Sequence, residues 1–203
     1  MLIDGGRLLV ATHNPGKLEE FAYLLRPHGI EVTGAAALGL PEPEETGATF
    51  AENALLKARA ASQATGLPAL ADDSGIVVHG LGGEPGIHSA RWAGPERDFD
   101  LAIQKVLGGL GARFGSFAAA DKRAAFVAVL CLSLPEGDER FFEGRVEGTL
   151  VERPRGARGF GYDPIFVPDG HARTFAEMTA AEKHAISHRR RALDAFMAAL
   201  RAG

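Results

Sequence analysis

The longest apolar stretch in the chain runs from Ala124 to Leu134, broken only by Ser133; the turn residues Pro135 to Asp138 follow, and then Arg140 to Glu152. The run is about half the ~20 residues that a membrane-crossing helix needs, so it reads as a central strand. With the turn and the segment behind it, it predicts a long β-hairpin in the middle of a sheet.

The segments before the hairpin alternate between strand and helix patterns. Leu8 to Ala11 is a short apolar run, and beyond the turn residues Thr12, Asn14, Pro15 and Gly16 the positions Leu18, Phe21, Ala22 and Leu25 recur at helical spacing. Ile30 to Thr33 reads as a second strand, and Ala35 to Gly47 as a loop carrying Glu42, Glu44 and Glu45. Thr49 with Glu52 forms a capping-box pattern that opens a helix through Asn53, Leu56, Lys57 and Ala60, ending near Gly66. Short apolar segments flank Asp72, Asp73, Ser74 and Gly75, which places the acidic pair at a strand end or tight turn.

Gly80 to Gly94 reads as irregular, Leu101 to Leu107 as a helix, and Gly108 to Ala120 as a mobile connection. After the hairpin comes a glycine-punctuated loop, Arg155 to Pro164, and then a strand-like Ile165 to Val167. Thr179 with Glu182 repeats the capping pattern, and Leu193, Phe196, Met197 and Leu200 mark a terminal helix. A bend is expected at Ile186 to Arg189, because Lys183 and His188 would not share one face of a straight helix.

A chain of 203 residues with 46% hydrophobic content can bury a sizeable core within one α/β domain covering residues 1–203. Its net charge of -4 argues against a general nucleic-acid binder but leaves room for small anionic ligands. The single cysteine, Cys131, lies inside the apolar run, which excludes an internal disulfide and suits a reducing compartment. Met1 to Gly6 shows no basic or long apolar leader, so the expectation is a cytoplasmic protein with no membrane partner.

Three constellations could carry chemistry. Thr12, His13, Asn14, Pro15, Gly16 and Lys17 connect a strand to a helix, where free backbone amides, the positive helix end and a lysine suit a phosphate. The segment is not a Walker A loop, since Leu18 stands where a hydroxyl residue is needed, and it also fits an ordinary connection with a solvated lysine. Glu42, Glu44 and Glu45 in one loop and Asp72 with Asp73 in another are hard oxygen donors of the kind Mg²⁺ takes beside substrate phosphates. A carboxylate near such a metal can also accept a proton from attacking water; the bland alternative is a pair of solvated acidic loops. Lys57, Lys183, His188 and Arg189 could meet a triphosphate or a purine oxygen, and Phe160 and Tyr162 could stack on a base or plug the core.

Six ordered motifs carry a resemblance over nearly the whole chain. They are A-T-H-N-P-G-K at Ala11 to Lys17, E-E-T-G-A-T-F-A-E-N-A at Glu44 to Ala54, A-D-D-S-G at Ala71 to Gly75, L-G-G-E-P-G-I-H-S-A-R-W-A-G at Leu81 to Gly94, G-F-G-Y-D-P-I-F at Gly159 to Phe166, and S-H-R at Ser187 to Arg189. In these the chain resembles the RdgB-like inosine/xanthosine triphosphate pyrophosphatase family. The resemblance implies an elongated mixed α/β sheet flanked by helices, two lobes with the active site in the cleft between them, and a homodimer. It also implies hydrolysis of ITP, dITP and XTP to the monophosphate and pyrophosphate.

Position by position, Thr12 to Lys17 would grip the triphosphate, Glu44 and Asp73 would hold Mg²⁺, and Asp73 would double as general base. Lys57 would lie near the phosphates and Asp72 would support the metal. Ser74, Phe160, Gly161, Tyr162, Asp163, Lys183, His188 and Arg189 would line the nucleotide pocket. Two competing readings remain: a nucleotide sensor without turnover, and a nucleic-acid module using Arg189 to Arg191, which the acidic chain disfavours.

Overall fold

The structure, a computed structural model, describes residues 6–202; residues 1–5, on which most of the reading of the N-terminus falls, and residue 203 lie outside the described residues. The strands are β1 (Arg7–Val10), β2 (Glu31–Gly34), β3 (Ala69–Val78), β4 (Arg123–Ser133), β5 (Glu139–Leu150) and β6 (Phe166–Pro168). The helices are α1 (Pro15–Leu25), α2 (Phe50–Thr65), α3 (Phe99–Phe114), α4 (Ala180–Ile186) and α5 (His188–Ala202). The strands form one six-stranded sheet in the order β2-β1-β3-β4-β5-β6. It is mixed: β1 runs parallel to β2 and β3, with Leu8 opposite Val32 and Val10 opposite Leu70, while β5 and β6 are antiparallel, with Thr149 opposite Val167.

The expected hairpin is β4 and β5, closed by a turn in which the Leu134 and Gly137 amides donate to Asp138 and Leu134 carbonyls. Among the described residues, no helix is long and apolar enough to cross a membrane.

The chain divides into two compact units. The first comprises residues 1–73, 128–144 and 189–203, and the second residues 74–127 and 145–188. In the first, strand alternation sorts the core into two layers. Leu8, Val10 and Leu70 pack with Phe21 and Leu25 of α1 and Leu193 and Phe196 of α5. Leu9, Ala11, Ala69 and Ala71 turn the other way, onto an alanine face of α2 made by Ala54, Ala58 and Ala61. In α1 the buried stripe uses Leu24 rather than the expected Ala22, which is exposed.

In the second unit, α3 buries Ala102, Ile103, Val106 and Leu110 against Ile76, Val78, Phe126 and Phe166. Asp98 caps the helix by accepting from the Asp100 and Leu101 amides. The helix runs to Phe114, so Gly108 to Ala120 is not wholly the mobile connection expected from its glycines. Burying Leu110 contributes about 1.5 to 3 kcal/mol, which offsets much of the ~1 kcal/mol that each helical glycine costs.

Candidate active site

The acidic pair does not sit at a strand end. Asp72 and Asp73 lie inside the ten-residue strand β3, so the alternation that sorts the core also sorts them. Asp72 shares the face of Leu70 and meets α1 and α5; Asp73 shares the face of Ala69 and Ala71 and meets α2. The sequence reading missed this because the polar run Asp72, Asp73, Ser74 and Gly75 imitates a turn. The strand holds because each acid finds buried partners.

On the α1 side, Lys17 Nζ lies 2.8 Å from Asp72 Oδ2, and Arg189 Nε lies 3.3 Å from the same oxygen. The other end of the Arg189 guanidinium bonds to Glu20, a residue the sequence reading passed over. Its signal was available: Glu20 falls three residues after Lys17 on the stripe that holds Phe21 and Leu24, so a charge there turns inward. Burial alone would raise the Asp72 carboxyl, but Lys17 and Arg189 reverse that and hold it well below the usual carboxylate range.

On the α2 side, the Lys57 ammonium lies 2.7 Å from Glu45 Oε1 and 3.1 Å from Asp73 Oδ1, and Asn53 Nδ2 donates to Asp73 Oδ2 at 3.2 Å. Asn53 and Lys57 are one helical turn apart on the face that meets β3. The start of α2 fixes their register: Thr49 Oγ1 accepts from the Glu52 amide, while the Glu52 carboxylate reaches past the cap residue to the Ala48 amide. Burial raises Asp73 above the ordinary aspartate value despite Lys57 and Lys17. Lys57 moves up as well, since Asp73 and Glu45 outweigh its burial.

Within the phosphate-loop candidate, Asn14 is the N-cap of α1, and its side-chain oxygen accepts from the Lys17 amide at 3.2 Å. Thr12 Oγ1 accepts from the Asn14 amide, Pro15 begins the helix, Gly16 is half-buried, and the His13 ring donates to the Leu40 carbonyl at 2.8 Å. Glu42 and Glu44 are exposed, whereas Glu45 is half-buried against Lys57. Among the described residues, no group of three or more His, Cys, Asp or Glu could hold a metal by itself. Two carboxylates do converge on one cationic centre, the Lys57 ammonium. That donor set suits a hard divalent cation that takes one or two protein carboxylates and completes its shell with substrate oxygens and water.

The second unit gathers the remaining candidates. Asp163 Oδ2 accepts from the Phe160 amide at 2.9 Å and from Lys183 Nζ at 2.7 Å, and that ammonium sits 4.7 Å from the Phe160 ring centroid. Gly159, at φ +73, is required here, because a Cβ would lie 2.0 Å from Asp163 Oδ2. Gly161 also takes positive φ, and Ser74 and Phe160 are half-buried.

Tyr162 departs from the expectation of a pocket-lining ring. It is 2% exposed, stands edge-on to Phe99, and donates its hydroxyl to the Ser89 carbonyl, so of the two aromatics it is the core plug. His188 is also buried, stacked on Phe126 with ring centroids 4.9 Å apart. The expected bend is present: α4 ends at Ile186, Ser187 is extended, and α5 starts at His188.

Lysines and carboxylates gathered at a helix start in the first unit, and a half-buried aromatic over a buried lysine in the second, are each features of nucleotide-handling α/β proteins. The chain belongs to the Ham1 family, whose pattern matches residues 8–199. It is 54% identical over 206 residues to a dITP/XTP pyrophosphatase of Brucella melitensis, covering 96% of this chain and 93% of that protein. With a dITP/XTP pyrophosphatase of Caulobacter vibrioides it shares 56% identity over 196 residues, 97% of this chain and 98% of the relative. Among solved structures it is similar to a HAM1 protein from Coxiella burnetii, with a TM-score of 0.87 and 42% identity over 97% of this chain and 99% of that one. It is also similar to the nucleoside-triphosphatase, dITP/XTP pyrophosphatase, of Mycobacterium abscessus, with a TM-score of 0.71 and 44% identity over 94% and 98% of the two chains.

Proposed function

We propose that residues 1–203 act as one hydrolase domain that cleaves the non-standard purine triphosphates dITP, XTP and ITP to the monophosphate and pyrophosphate. The observation that carries this reading is the pairing of Asp72 and Asp73 with Lys17 and Lys57 on opposite faces of one strand, beside the N-terminus of α1. Relatives at 54% and 56% identity bear the name dITP/XTP pyrophosphatase, which supplies the substrate class.

In this reading water attacks the α-phosphorus, the bond to the bridging oxygen breaks, and pyrophosphate leaves. Asp73 accepts the water's proton, a task for which its raised basicity suits it. Lys17, Lys57 and the Thr12 to Gly16 turn hold the phosphate oxygens, with Asp72 keeping Lys17 in place. Asp73 with Glu45, and Glu44 beside it, are the carboxylates that would hold Mg²⁺, which supplies charge neutralisation at the phosphates.

The base end is assigned to Ser74, Phe160, Gly161, Asp163, Lys183 and His188, with Tyr162 supporting them from the core, while Arg189, bound to Glu20 and Asp72, is assigned to the phosphate side. Donors there would favour a 6-oxo purine over adenine, since an unpaired buried donor costs about 1 to 3 kcal/mol. The enzyme is read as a cytoplasmic homodimer that binds no nucleic acid. For the last point, Arg189 is committed to Glu20 and Asp72, and Arg190 lies 2.7 Å from Asp194.

The test is pyrophosphate release from ITP, dITP, XTP and the four ordinary triphosphates, with Mg²⁺ and with chelator. The expected outcome is preference for the first three and loss of turnover on chelation. No pyrophosphate from dITP sinks the reading, and equal rates on all substrates remove its selectivity.

A further inference from the structure

The motif Leu81 to Gly94 has no role in the mechanism above, yet it folds into consecutive short turns that bring Ser89 back against β3. Ser89 is 5% exposed and makes three polar contacts. Its Oγ accepts from the Ile76 amide at 2.9 Å and donates to the Gly86 carbonyl at 2.6 Å. Its carbonyl accepts from the Tyr162 hydroxyl at 2.8 Å.

The approach is close enough to dictate a neighbour. A Cβ on Gly75 would fall 2.4 Å from both Ser89 Oγ and the Gly86 carbonyl oxygen, so the residue after Ser74 must be glycine. Tyr162 is held in turn by Phe99, with ring centroids 5.7 Å apart. Its loop is tied at Asp163 to Lys183 and to the Phe160 amide.

We propose that Ser89 and Tyr162 form a positioning pair that fixes Ser74 and Phe160 relative to each other for nucleotide binding. The proposal rests on the assignment of Ser74 and Phe160 to the nucleotide. One end of the brace is the β3 backbone one residue past Ser74 and Gly75; the other is the residue two places after Phe160. All of these residues belong to the second unit. The hydrogen bonds of the brace end on Ile76, Gly86 and Tyr162 and on none of Asp73, Lys17 and Lys57, so it acts on how well the nucleotide is held and not on the proton transfer. In this proposal Ser89 and Tyr162 act through Ser74 and Phe160 and not by contact with the nucleotide.

The decisive variant is Tyr162→Phe, which keeps the ring and its packing and removes one hydroxyl; Ser89→Ala removes both Oγ contacts. Steady-state kinetics with dITP should show KM raised about five- to tenfold in Tyr162→Phe, the size of one lost buried hydrogen bond, with kcat within about twofold of the parent. Ser89→Ala should move KM further in the same direction. A purely structural contact would lower the melting temperature and leave KM of the folded enzyme unchanged. Unchanged KM in Tyr162→Phe, or a loss confined to kcat, overturns the proposal, and Tyr162→Phe decides alone if Ser89→Ala does not fold. Failure of the underlying reading looks different: the parent enzyme itself would release no pyrophosphate from dITP.

Discussion

The two units hold their charges in opposite ways. In the first, acids and bases are interleaved: Glu20, Arg189, Asp72 and Lys17 form one chain of ion pairs, and Glu45, Lys57 and Asp73 form another across the strand. In the second, the buried ion pair of Lys183 with Asp163 is walled by the rings of Phe160 and Phe175 at 4.7 and 5.8 Å from the ammonium. The first arrangement presents cations that are already balanced, so a triphosphate can exchange with carboxylates as their partner. The second offers a ring face backed by a cation, which suits a flat heterocycle. Phosphate chemistry and base selection should therefore be separable by mutation.

The largest expected effect lies in the first unit. Asp73→Asn should lower kcat about 10²- to 10⁴-fold, the usual contribution of a positioned general base, with the folded state retained because Glu45 still pairs with Lys57. Near-normal turnover would remove Asp73 from the chemistry and leave the two units without a division of labour.

Next in size is Asp72→Asn, which touches stability more than turnover. It leaves Arg189 and Lys17 with only part of their countercharge, and breaking a buried pair in this way costs about 3 to 5 kcal/mol. Because the Asp72 carboxyl is depressed in the folded protein, its contribution is complete above the unfolded value of about 3.9 and is lost as pH falls through the folded value. The parent should thus lose stability in acid, below about pH 4, more steeply than Asp72→Asn. Asp73 has the opposite sign: its carboxyl is raised by burial, so ionising it costs stability at neutral pH. Urea midpoints from pH 7 to pH 2 separate the two acids, and parallel curves for parent and Asp72→Asn would show that the Asp72 pairs do not form in solution.

Much of this division was legible in the sequence, because it rests on local patterns. The hairpin, the caps at Thr49 and Thr179, and the break at Ser187 follow from turn residues, capping signatures and helical spacing. What escaped depends on pairing across the fold. Asp72 and Asp73 read as a turn because nothing adjacent shows that Lys17, Lys57 and Arg189 will meet them inside a strand. Glu20 lies on the inward stripe of α1, but its partner Arg189 is 169 positions away, so its role was passed over. The glycines after Leu107 suggested a loop because a sequence window cannot weigh the core that buries Leu110. Tyr162 and Phe160 look alike in sequence, and only Ser89 and Phe99 distinguish the plug from the half-buried ring.

That last distinction gives the smallest predicted effect and the sharpest test of the second unit. Phe160 is half-buried and held by its own amide on Asp163, with Lys183 beneath its ring. A ring so placed can stack on a purine while the ammonium polarises its far face, and aromatic stacking on a base contributes about 1 to 3 kcal/mol. Phe160→Ala should therefore raise KM for dITP about five- to twentyfold with kcat within about threefold, and Phe160→Trp should recover most of the loss. The acid stability curve should stay that of the parent, because Phe160 has no part in the Asp72 network. If the alanine variant instead loses kcat with KM unchanged, stacking is not its task, and the base must be held by another group in the second unit.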